Sequence, residues 1–367
     1  MRIALGQIDC RIGDTAAIHA TISRVAEQAT AHGADLLVLP ELASCGYPPR
    51  DLLDRRRFVR AQQALVDRLV DELPLPTLIG QVEAIDDGLG PTLANSLTVI
   101  ADGRVHGRYR KRLLPTYDVF DERRYFRAGA TAQVIEVAGR RLGLTICEDI
   151  WSDEELGFGY DADPVGDLAG NCDLLINIAA SPFHLGKVEQ RHQVLQACAR
   201  RSGAPVVYVN QVGGHDELLF DGGSAVYDAD GRCLARADRW RPTCLVCDLD
   251  EAGSSPPAEP DPSADLHQAL VCGIRDYCQK TNQQRVVIGL SGGIDSAVVA
   301  ALAADALGAE QVTGLLMPGP YSSAGSVTDA EALADLLGIQ RHVCDIRTAN
   351  QAPHQLFGRD AETLAEC

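Results

Sequence analysis

The segment CDLLINIAASPFHLGKVEQRHQVLQACARRSGAPVVYVNQV, residues 172–212, predicts a strand, a helix over residues 187–202 and a second strand. Strands and helices alternate in the same way upstream of it. Asp-Gly pairs at residues 102–103 and 230–231 predict hairpins within this series. Hairpins mixed with strand–helix units favour mixed sheets in a layered α/β sandwich over residues 1–250.

A second pattern follows a change in composition. Residues 251–264, EAGSSPPAEPDPSA, are rich in Pro, Ser, Gly and acidic residues and predict a linker. Residues 265–367 then repeat strand and helix, which predicts a Rossmann-like parallel sheet of about three strands. A complete domain of this kind needs about 100–200 residues. We therefore expect the second domain to be incomplete at residue 367.

Composition excludes several classes of protein. The net charge is −18, which argues against a nucleic-acid binder. No apolar run is as long as a membrane span, and MRIALGQIDC at the N-terminus does not resemble a signal peptide, so we expect a cytoplasmic protein. The 12 cysteines lack zinc-site spacing and a secretory context, so most are expected to be small buried hydrophobic residues.

The stretch VVIGLSGGIDSA (286–297) joins an apolar strand to a helix. Gly292 and Gly293 allow close approach of the backbone, and the helix N-terminus offers N–H groups to an anion. Ser291 and Ser296 add hydroxyl donors. Asp295 would repel a phosphate unless Mg²⁺ lay between them. The absence of a lysine excludes a standard P-loop. The alternative is a tight turn capped by a serine.

Cys147 lies in RRLGLTICEDIW (140–151). Strand alternation places it with Gly143 and Thr145 on the less bulky face. It is either a buried core thiol or a nucleophile. A nucleophilic thiol that cleaves an amide needs a base for its proton and a positive group for the oxyanion.

Two charged residues are candidates for these roles. Glu41, in LLVLPELASCGYP, directly follows an apolar run, where burial without a partner is costly. The alternative is an acid at a strand end that reaches solvent. In RYRKRLLP, alternation places Arg108, Arg110 and Arg112 on a solvated face. Lys111 then shares the apolar face, unless the whole cluster is a charged edge strand.

These motifs resemble two known families. SGGIDS after a strand resembles the pyrophosphate loop of the ATP pyrophosphatases. LPE, KRLLP and ICEDIW resemble the Glu–Lys–Cys signatures of the nitrilase superfamily, in the same order. The combination resembles the glutamine-dependent NAD⁺ synthetases, as does the segment at residues 317–339. The resemblance implies a nitrilase-like α-β-β-α sandwich followed by a partial Rossmann-like domain of the adenine nucleotide alpha hydrolase type.

The resemblance also implies a glutaminase site. Cys147 would attack the glutamine amide, Glu41 would act as the base and Lys111 would stabilise the oxyanion. Four residues are implied to hold the glutamine: Tyr117, Glu148, Ser181 and Lys187. A lysine at the last position cannot grip a carboxylate with two parallel bonds as arginine does. Glu122 is either an auxiliary acid or a surface charge.

For the second site, the resemblance implies binding of ATP. The implied contacts are Ser291, Gly292, Gly293, Asp295 and Ser296, with Asp295 directed to Mg²⁺. A second group of residues has two interpretations. It lines the path of the nucleotide or of ammonia, or it forms an ordinary polar loop: Tyr321, Ser322 and Ser323.

The resemblance implies L-glutamine, ATP and nicotinic acid adenine dinucleotide as substrates, with no tightly bound organic cofactor. A homo-oligomer that binds neither nucleic acid nor membrane is expected. If the 367 residues are the whole molecule, we expect no NAD⁺ synthesis, and a glutaminase or amidase alone is the alternative. A non-catalytic sensor of glutamine or nucleotide is a third hypothesis, under which Cys147→Ala would change no activity.

Overall fold

The computed structural model describes residues 1–86, 92–152, 159–250 and 261–347. The chain divides into two compact units, Met1–Pro262 and Ser263–Cys367. Most of the predicted linker lies outside the described residues. Its last part is not a linker, because a helix begins at Pro262. The expected incomplete end of the second domain, after residue 347, also lies outside the described residues.

The elements alternate as the sequence predicts. The strands of the first unit are β1 (Arg2–Gln7), β2 (Leu36–Val38), β3 (Thr77–Ala84), β4 (Leu93–Ala101), β5 (Arg104–Arg110), β6 (Val134–Val137), β7 (Arg140–Ile146), β8 (Leu174–Ala179), β9 (Val206–Asn210), β10 (Val212–His215), β11 (Leu218–Asp221), β12 (Ala225–Tyr227), β13 (Cys233–Arg236) and β14 (Thr243–Asp248). Its α-helices are α1 (Thr15–Ala31), α2 (Arg56–Glu72), α3 (Glu122–Tyr125) and α4 (Lys187–Ser202). The second unit contains α5 (Pro262–Lys280), β15 (Val286–Gly289), α6 (Ile294–Leu307), β16 (Val312–Leu316), α7 (Ala324–Leu337) and β17 (Gln340–Val343).

Two mixed sheets form the centre of the first unit. In the described residues their orders are β14-β1-β2-β3-β4-β5 and β13-β12-β9-β8-β7-β6. The inner strands β1-β2-β3 and β7-β8-β9 are parallel, whereas the outer strands pair antiparallel. Asp102 and Gly103 both have positive φ angles, +50° and +65°, as the predicted hairpin turn requires. The predicted α/β class is confirmed.

The layers follow from alternation along the strands. Ile3 and Leu5 of β1 belong to the core that also contains Leu144 of β7. Ala4, between them, packs with the helices α1 and α2 on the outer face of the first sheet. Helix α4 packs on the second sheet through residues such as Val194. The order of layers is therefore helix, sheet, sheet, helix, and the strand ends that carry the site lie along the two central layers.

The second unit has a parallel sheet in the order β15-β16-β17. Its core contains Leu290, Ala300, Val312 and Ala330. The segment 290–293 joins β15 to α6 at the carboxyl end of the sheet, which is where open α/β sheets bind ligands. Among the described residues, no helix combines the length and apolar character needed to cross a membrane.

Candidate active site

Cys147 begins a sharp turn directly after β7. It is the first residue of the 3₁₀ turn Cys147–Ile150 and has a φ of +43°. A residue other than glycine seldom adopts this left-handed conformation, and such strain concentrates at functional sites. Strand β7 ends at Ile146, so the predicted alternation of side chains does not determine the direction of the Cys147 thiol. The left-handed turn places it instead.

Asp149 fixes this turn to the end of β5. Its buried Oδ2 accepts hydrogen bonds from the Ile146 N–H (2.9 Å) and the Tyr109 hydroxyl (2.7 Å). Its Oδ1 accepts from the backbone N–H groups of Arg112 (3.0 Å) and Leu113 (2.9 Å). Burial raises the pKa of Asp149, although these donors oppose the shift. The carboxylate therefore joins the turn of the thiol to the segment of the predicted cation.

Lys111 is 1% exposed and lies between two carboxylates. Its Nζ donates to Glu41 Oε1 and to Glu122 Oε1, both at 2.7 Å. Burial alone would lower the pKa of Lys111, but the charges of Glu122 and Glu41 outweigh it and raise that pKa well above its usual value. Lys111 therefore carries a positive charge inside the fold and is not part of a solvated edge.

Glu41 is fully buried just beyond β2 and does not reach solvent. Its Oε1 accepts from Lys111 and from the Asn95 side-chain amide, both at 2.7 Å. Its Oε2 accepts from the backbone N–H of Ala180 at 2.9 Å. These donors hold the carboxylate in one orientation, as a base that must meet a thiol requires.

Glu122, at the start of α3, is also buried rather than a surface charge. Its Oε1 accepts from Lys111 and from the Tyr47 hydroxyl (2.9 Å), whereas its Oε2 has no hydrogen-bond partner among the described residues. Burial raises the pKa of Glu122 to about 7, against the opposing charge of Lys111 and with the support of Glu41. Glu122 is thus a second carboxylate of the same charged cluster.

The Cys147 thiol interacts with this cluster. Burial and the charge of Glu41 raise its pKa well above the ordinary value, and Lys111 opposes the shift. The structure therefore brings the predicted Glu41, Lys111 and Cys147 into one buried site. Because the thiol is protonated at neutral pH, its attack on a substrate requires a base at that moment.

The residue after the thiol forms an anionic end of the site. Glu148 is buried, and its Oε1 accepts from the hydroxyl groups of Tyr117 (2.9 Å) and Tyr160. Tyr117 is one of the predicted residues and is half-exposed. Tyr160 was not predicted. It follows Glu148 by 12 residues in an irregular segment, and no spacing in the sequence points to it.

A cationic group also lies near the thiol and Glu148. Lys187 opens α4, and its Nζ lies 3.7 Å from the centre of the Trp151 ring. Burial, with the charge of Arg191, lowers the pKa of Lys187 to about 8. Arg191 itself is buried and pairs with Asp221 at 2.7 and 3.0 Å. The predicted Ser181 donates its N–H to the side chain of Asn210, so the backbone here is fixed as well.

In the second unit, the SGGIDS loop is held by its own hydroxyl groups. Ser291 Oγ accepts from the Gly293 N–H (3.2 Å), and Ser296 Oγ donates to the Gly293 carbonyl (3.1 Å). Gly292 has a φ of +78°, and a Cβ there would lie 2.3 Å from the Ser326 carbonyl oxygen. Only glycine fits this position without displacing the chain.

A cavity of about 260 Å³ borders the loop, and Ser291 and Ser322 line it. Asp295 is exposed in the first turn of α6. The described residues contain no group of three His, Cys, Asp or Glu that could hold a metal ion. Tyr321 is exposed, and Ser323 caps α7 by accepting the Ser326 N–H (3.0 Å), a structural role typical of a polar loop.

Known proteins share both units. A family model described as carbon-nitrogen hydrolase matches residues 2–255, and one described as NAD synthase matches residues 266–367. The glutamine-dependent NAD(+) synthetase of Synechocystis sp. is 40% identical, over 99% of this chain and 68% of the relative. The chain belongs to the glutamine-dependent NAD(+) synthetase family. The synthetase of Thermotoga maritima is 36% identical, over 94% of this chain and 65% of the relative.

Solved structures agree with membership of the NAD(+) synthetase family. The synthetase from Acinetobacter baumannii in complex with ADP is 35% identical, with a TM-score of 0.89 over 97% of this chain and 66% of that chain. A mutant of the amidase from Nesterenkonia sp. AN1 carries the acetamide moiety of fluoroacetamide at its active-site cysteine. It is 25% identical, with a TM-score of 0.59 over 68% of this chain and 90% of that chain. The chain spans about two thirds of the length of the curated synthetases it matches.

The resemblance of the sequence to the NAD(+) synthetase family is thus confirmed, and an amidase alone is not favoured. The prediction for the arginine cluster was wrong at Arg112. Arg112 does not lie on a solvated face with Arg108, because its side chain is largely buried and pairs with Asp167 at 2.7 Å. Arg110 pairs with Glu83. The alternation of side chains ends with β5 at Arg110. Beyond it, the backbone N–H groups of Arg112 and Leu113 bind the buried Asp149 carboxylate, and these bonds set the course of the chain.

Proposed function

We propose that the first unit hydrolyses L-glutamine to glutamate and ammonia at Cys147. In the whole protein, the carboxylate of nicotinic acid adenine dinucleotide takes the AMP moiety of ATP with release of pyrophosphate, and the ammonia then displaces AMP to give NAD⁺. The observation that carries the glutaminase proposal is the buried cluster of Glu41, Lys111 and Glu122 beside a protonated thiol. A core cysteine has no need of such neighbours, because buried charges are costly.

The proposed reaction begins when Glu41 takes the proton of the Cys147 thiol. The sulfur attacks the amide carbon, a C–S bond forms, and the carbonyl electron pair moves onto oxygen, where Lys111 stabilises the charge. Glu41 then returns the proton to the amide nitrogen, which leaves as ammonia. Water attacks the thioester with Glu41 as the base, glutamate departs, and the thiol regains its proton.

Recognition of glutamine is proposed to use the anionic and the cationic group near the thiol. Glu148 would bind the α-ammonium group, and Lys187 the α-carboxylate, with Ser181 beside it. Lys187 interacts electrostatically with both Glu148 and Cys147, so a glutamine whose α-carbon lies between Glu148 and Lys187 would extend its side chain toward Cys147. A sensor that only binds glutamine would have no use for the buried base.

The second unit is proposed to hold ATP through the loop 291–296. N–H groups at the start of α6 and the hydroxyls of Ser291 and Ser296 suit phosphate oxygens, and the ADP-bound synthetase of similar structure supports the proposal. Asp295 would hold Mg²⁺ together with those oxygens. Mg²⁺ commonly binds through one or two carboxylates and substrate phosphates, so the absence of a protein metal cluster among the described residues fits this use. A homo-oligomer stays a prediction.

The test is glutamate release from L-glutamine by the 367-residue chain, with Cys147→Ala and Cys172→Ala compared. We expect activity in the wild type and the Cys172 variant, since the Cys172 thiol is buried and donates to the backbone carbonyl of Leu168. Hydroxylamine should trap the thioester as a hydroxamate. Glutamate release that persists in Cys147→Ala would overturn the proposal. Formation of AMP that depends on nicotinic acid adenine dinucleotide tests the second site.

A further inference from the structure

Two phenols converge on one oxygen of a buried carboxylate in the glutaminase site. Tyr117 and Tyr160 both donate to Glu148 Oε1. The other oxygen, Oε2, makes no hydrogen bond with a described residue. An ionised carboxylate offers about four lone-pair sites, so capacity for a further donor remains. A buried Glu148 carboxylate that can still accept a hydrogen bond is suited to a cationic ligand.

The phenols remain donors throughout the physiological pH range. Burial and the charge of Glu148 raise the pKa of Tyr117 and of Tyr160 well above the usual value for tyrosine. Hydrogen bonds to an ionised acceptor are about twice as strong as neutral ones. Two of them on one oxygen restrict rotation of the carboxylate. Tyr117 is 53% exposed, whereas Tyr160 is better shielded from solvent.

We infer that Tyr160 is a positioning residue. It holds Glu148 in the orientation that binds the α-ammonium group of the substrate, and it thereby makes the site select α-amino amides over simple amides. The inference rests on the proposed glutaminase function. It assigns Tyr160 no contact with the reacting amide, so the chemical step should not depend on it.

The experiment compares Tyr160→Phe with wild type on L-glutamine and on glutaramate, which is glutamine without its amino group. Loss of one charge-assisted hydrogen bond should raise the KM for glutamine about tenfold and leave its kcat unchanged. Hydrolysis of glutaramate should keep the wild-type kcat/KM. The control is Tyr277→Phe, which alters an exposed phenol in the second unit and should affect neither substrate.

A double variant separates positioning from a general structural effect. In a Glu148→Gln background, Tyr160→Phe should cause no further loss on glutamine. Equal losses on glutamine and glutaramate, a fall in kcat alone, or no effect on glutamine would each overturn the inference. Failure of the wild type to hydrolyse glutamine would instead overturn the proposed function, so the two failures are distinguishable.

Discussion

Asp149→Asn tests whether the carboxylate behind the thiol organises the site. Asparagine keeps the shape of the side chain but replaces one acceptor oxygen by an NH₂ donor. Two of the groups that now donate to the carboxylate then face another donor. Depending on the orientation of the amide, they are either the Ile146 N–H and the Tyr109 hydroxyl or the N–H groups of Arg112 and Leu113.

The expected cost follows from these contacts. A buried donor left without its acceptor costs about 1–3 kcal/mol, so two cost about 2–6 kcal/mol. Removing a buried charge recovers part of this, because burial raises the pKa of Asp149 and thus disfavours its ionised form. We expect the free energy of unfolding to fall by about 2–4 kcal/mol. For a unit of this size, that lowers Tm by about 4–16 °C.

The same substitution should reduce catalysis. Asp149 connects the turn of Cys147 to the segment that carries Lys111, and a displacement of about 1 Å in a site can reduce the rate about 100-fold. At assay temperatures below the melting transition of the variant, we expect kcat for glutamine hydrolysis to fall about 100-fold, with little change in KM. The hydrogen bonds of Asp149 hold Ile146 at the end of β7 and the backbone at Arg112 and Leu113, so the substitution should act mainly on the position of the thiol.

Scanning calorimetry and glutamate release measure the two effects. The control is Asp173→Asn, since Asp173 is a partly exposed partner of Arg141 and the loss of its charge should alter neither Tm nor kcat appreciably. An Asp149→Asn protein with the Tm and kcat of the wild type would refute the reasoning. A lower Tm with normal kcat would show that the carboxylate stabilises the fold without setting the geometry of the thiol.

Three further outcomes are expected. Lys187 has a pKa of about 8 and loses its charge as the pH rises above 8, so the KM for glutamine should then increase. In Lys187→Arg, the KM should stay constant to about pH 10. The same dependence of KM on pH in both proteins would contradict this. Gly292→Ala places a Cβ against the Ser326 backbone and should weaken ADP binding at least about tenfold, measured by titration calorimetry. The control is Gly319→Ala, whose Cβ would lie 3.9 Å from the nearest atoms and should not weaken binding. Glu41→Gln should lower kcat by about 10²–10⁴ and leave glutamine affinity unchanged, and an unchanged kcat would exclude Glu41 as the base.

The fold could be predicted well because its signals are local. Helix α2 occupies residues 56–72, and the hairpin at Asp102 and Gly103 lies where turn chemistry places it. The sequence also indicated Glu41 and Lys111 of the charged cluster, because each has a charge in an apolar context, whereas Glu122, in FDERRYF, was named only from the family resemblance. Their association could be expected only from resemblance to known families, since Glu41 and Lys111 are 70 residues apart.

The supporting residues could not be predicted for a physical reason. Asn95, Asp149 and Tyr160 act through hydrogen bonds to partners distant in sequence or across an irregular turn, and no periodicity encodes such bonds. The positive φ of Cys147 is likewise set by tertiary contacts. Alternation assigned a face to Cys147 and to Arg112, and it failed at both because each lies just beyond the end of a strand.

Burial, together with the charge balance of the site, explains why the thiol is not ionised in advance. Glu41, Lys111 and Glu122 together carry one net negative charge when both acids are ionised, and a thiolate beside them would add a second. Transfer of the proton from Cys147 to Glu41 creates no new charge. It moves the negative charge from the carboxylate to the sulfur and then to the oxyanion, while Lys111 remains positive throughout. A reaction that moves charge within a fixed total needs little reorganisation of its surroundings, so the thiol can attack the amide at a buried site.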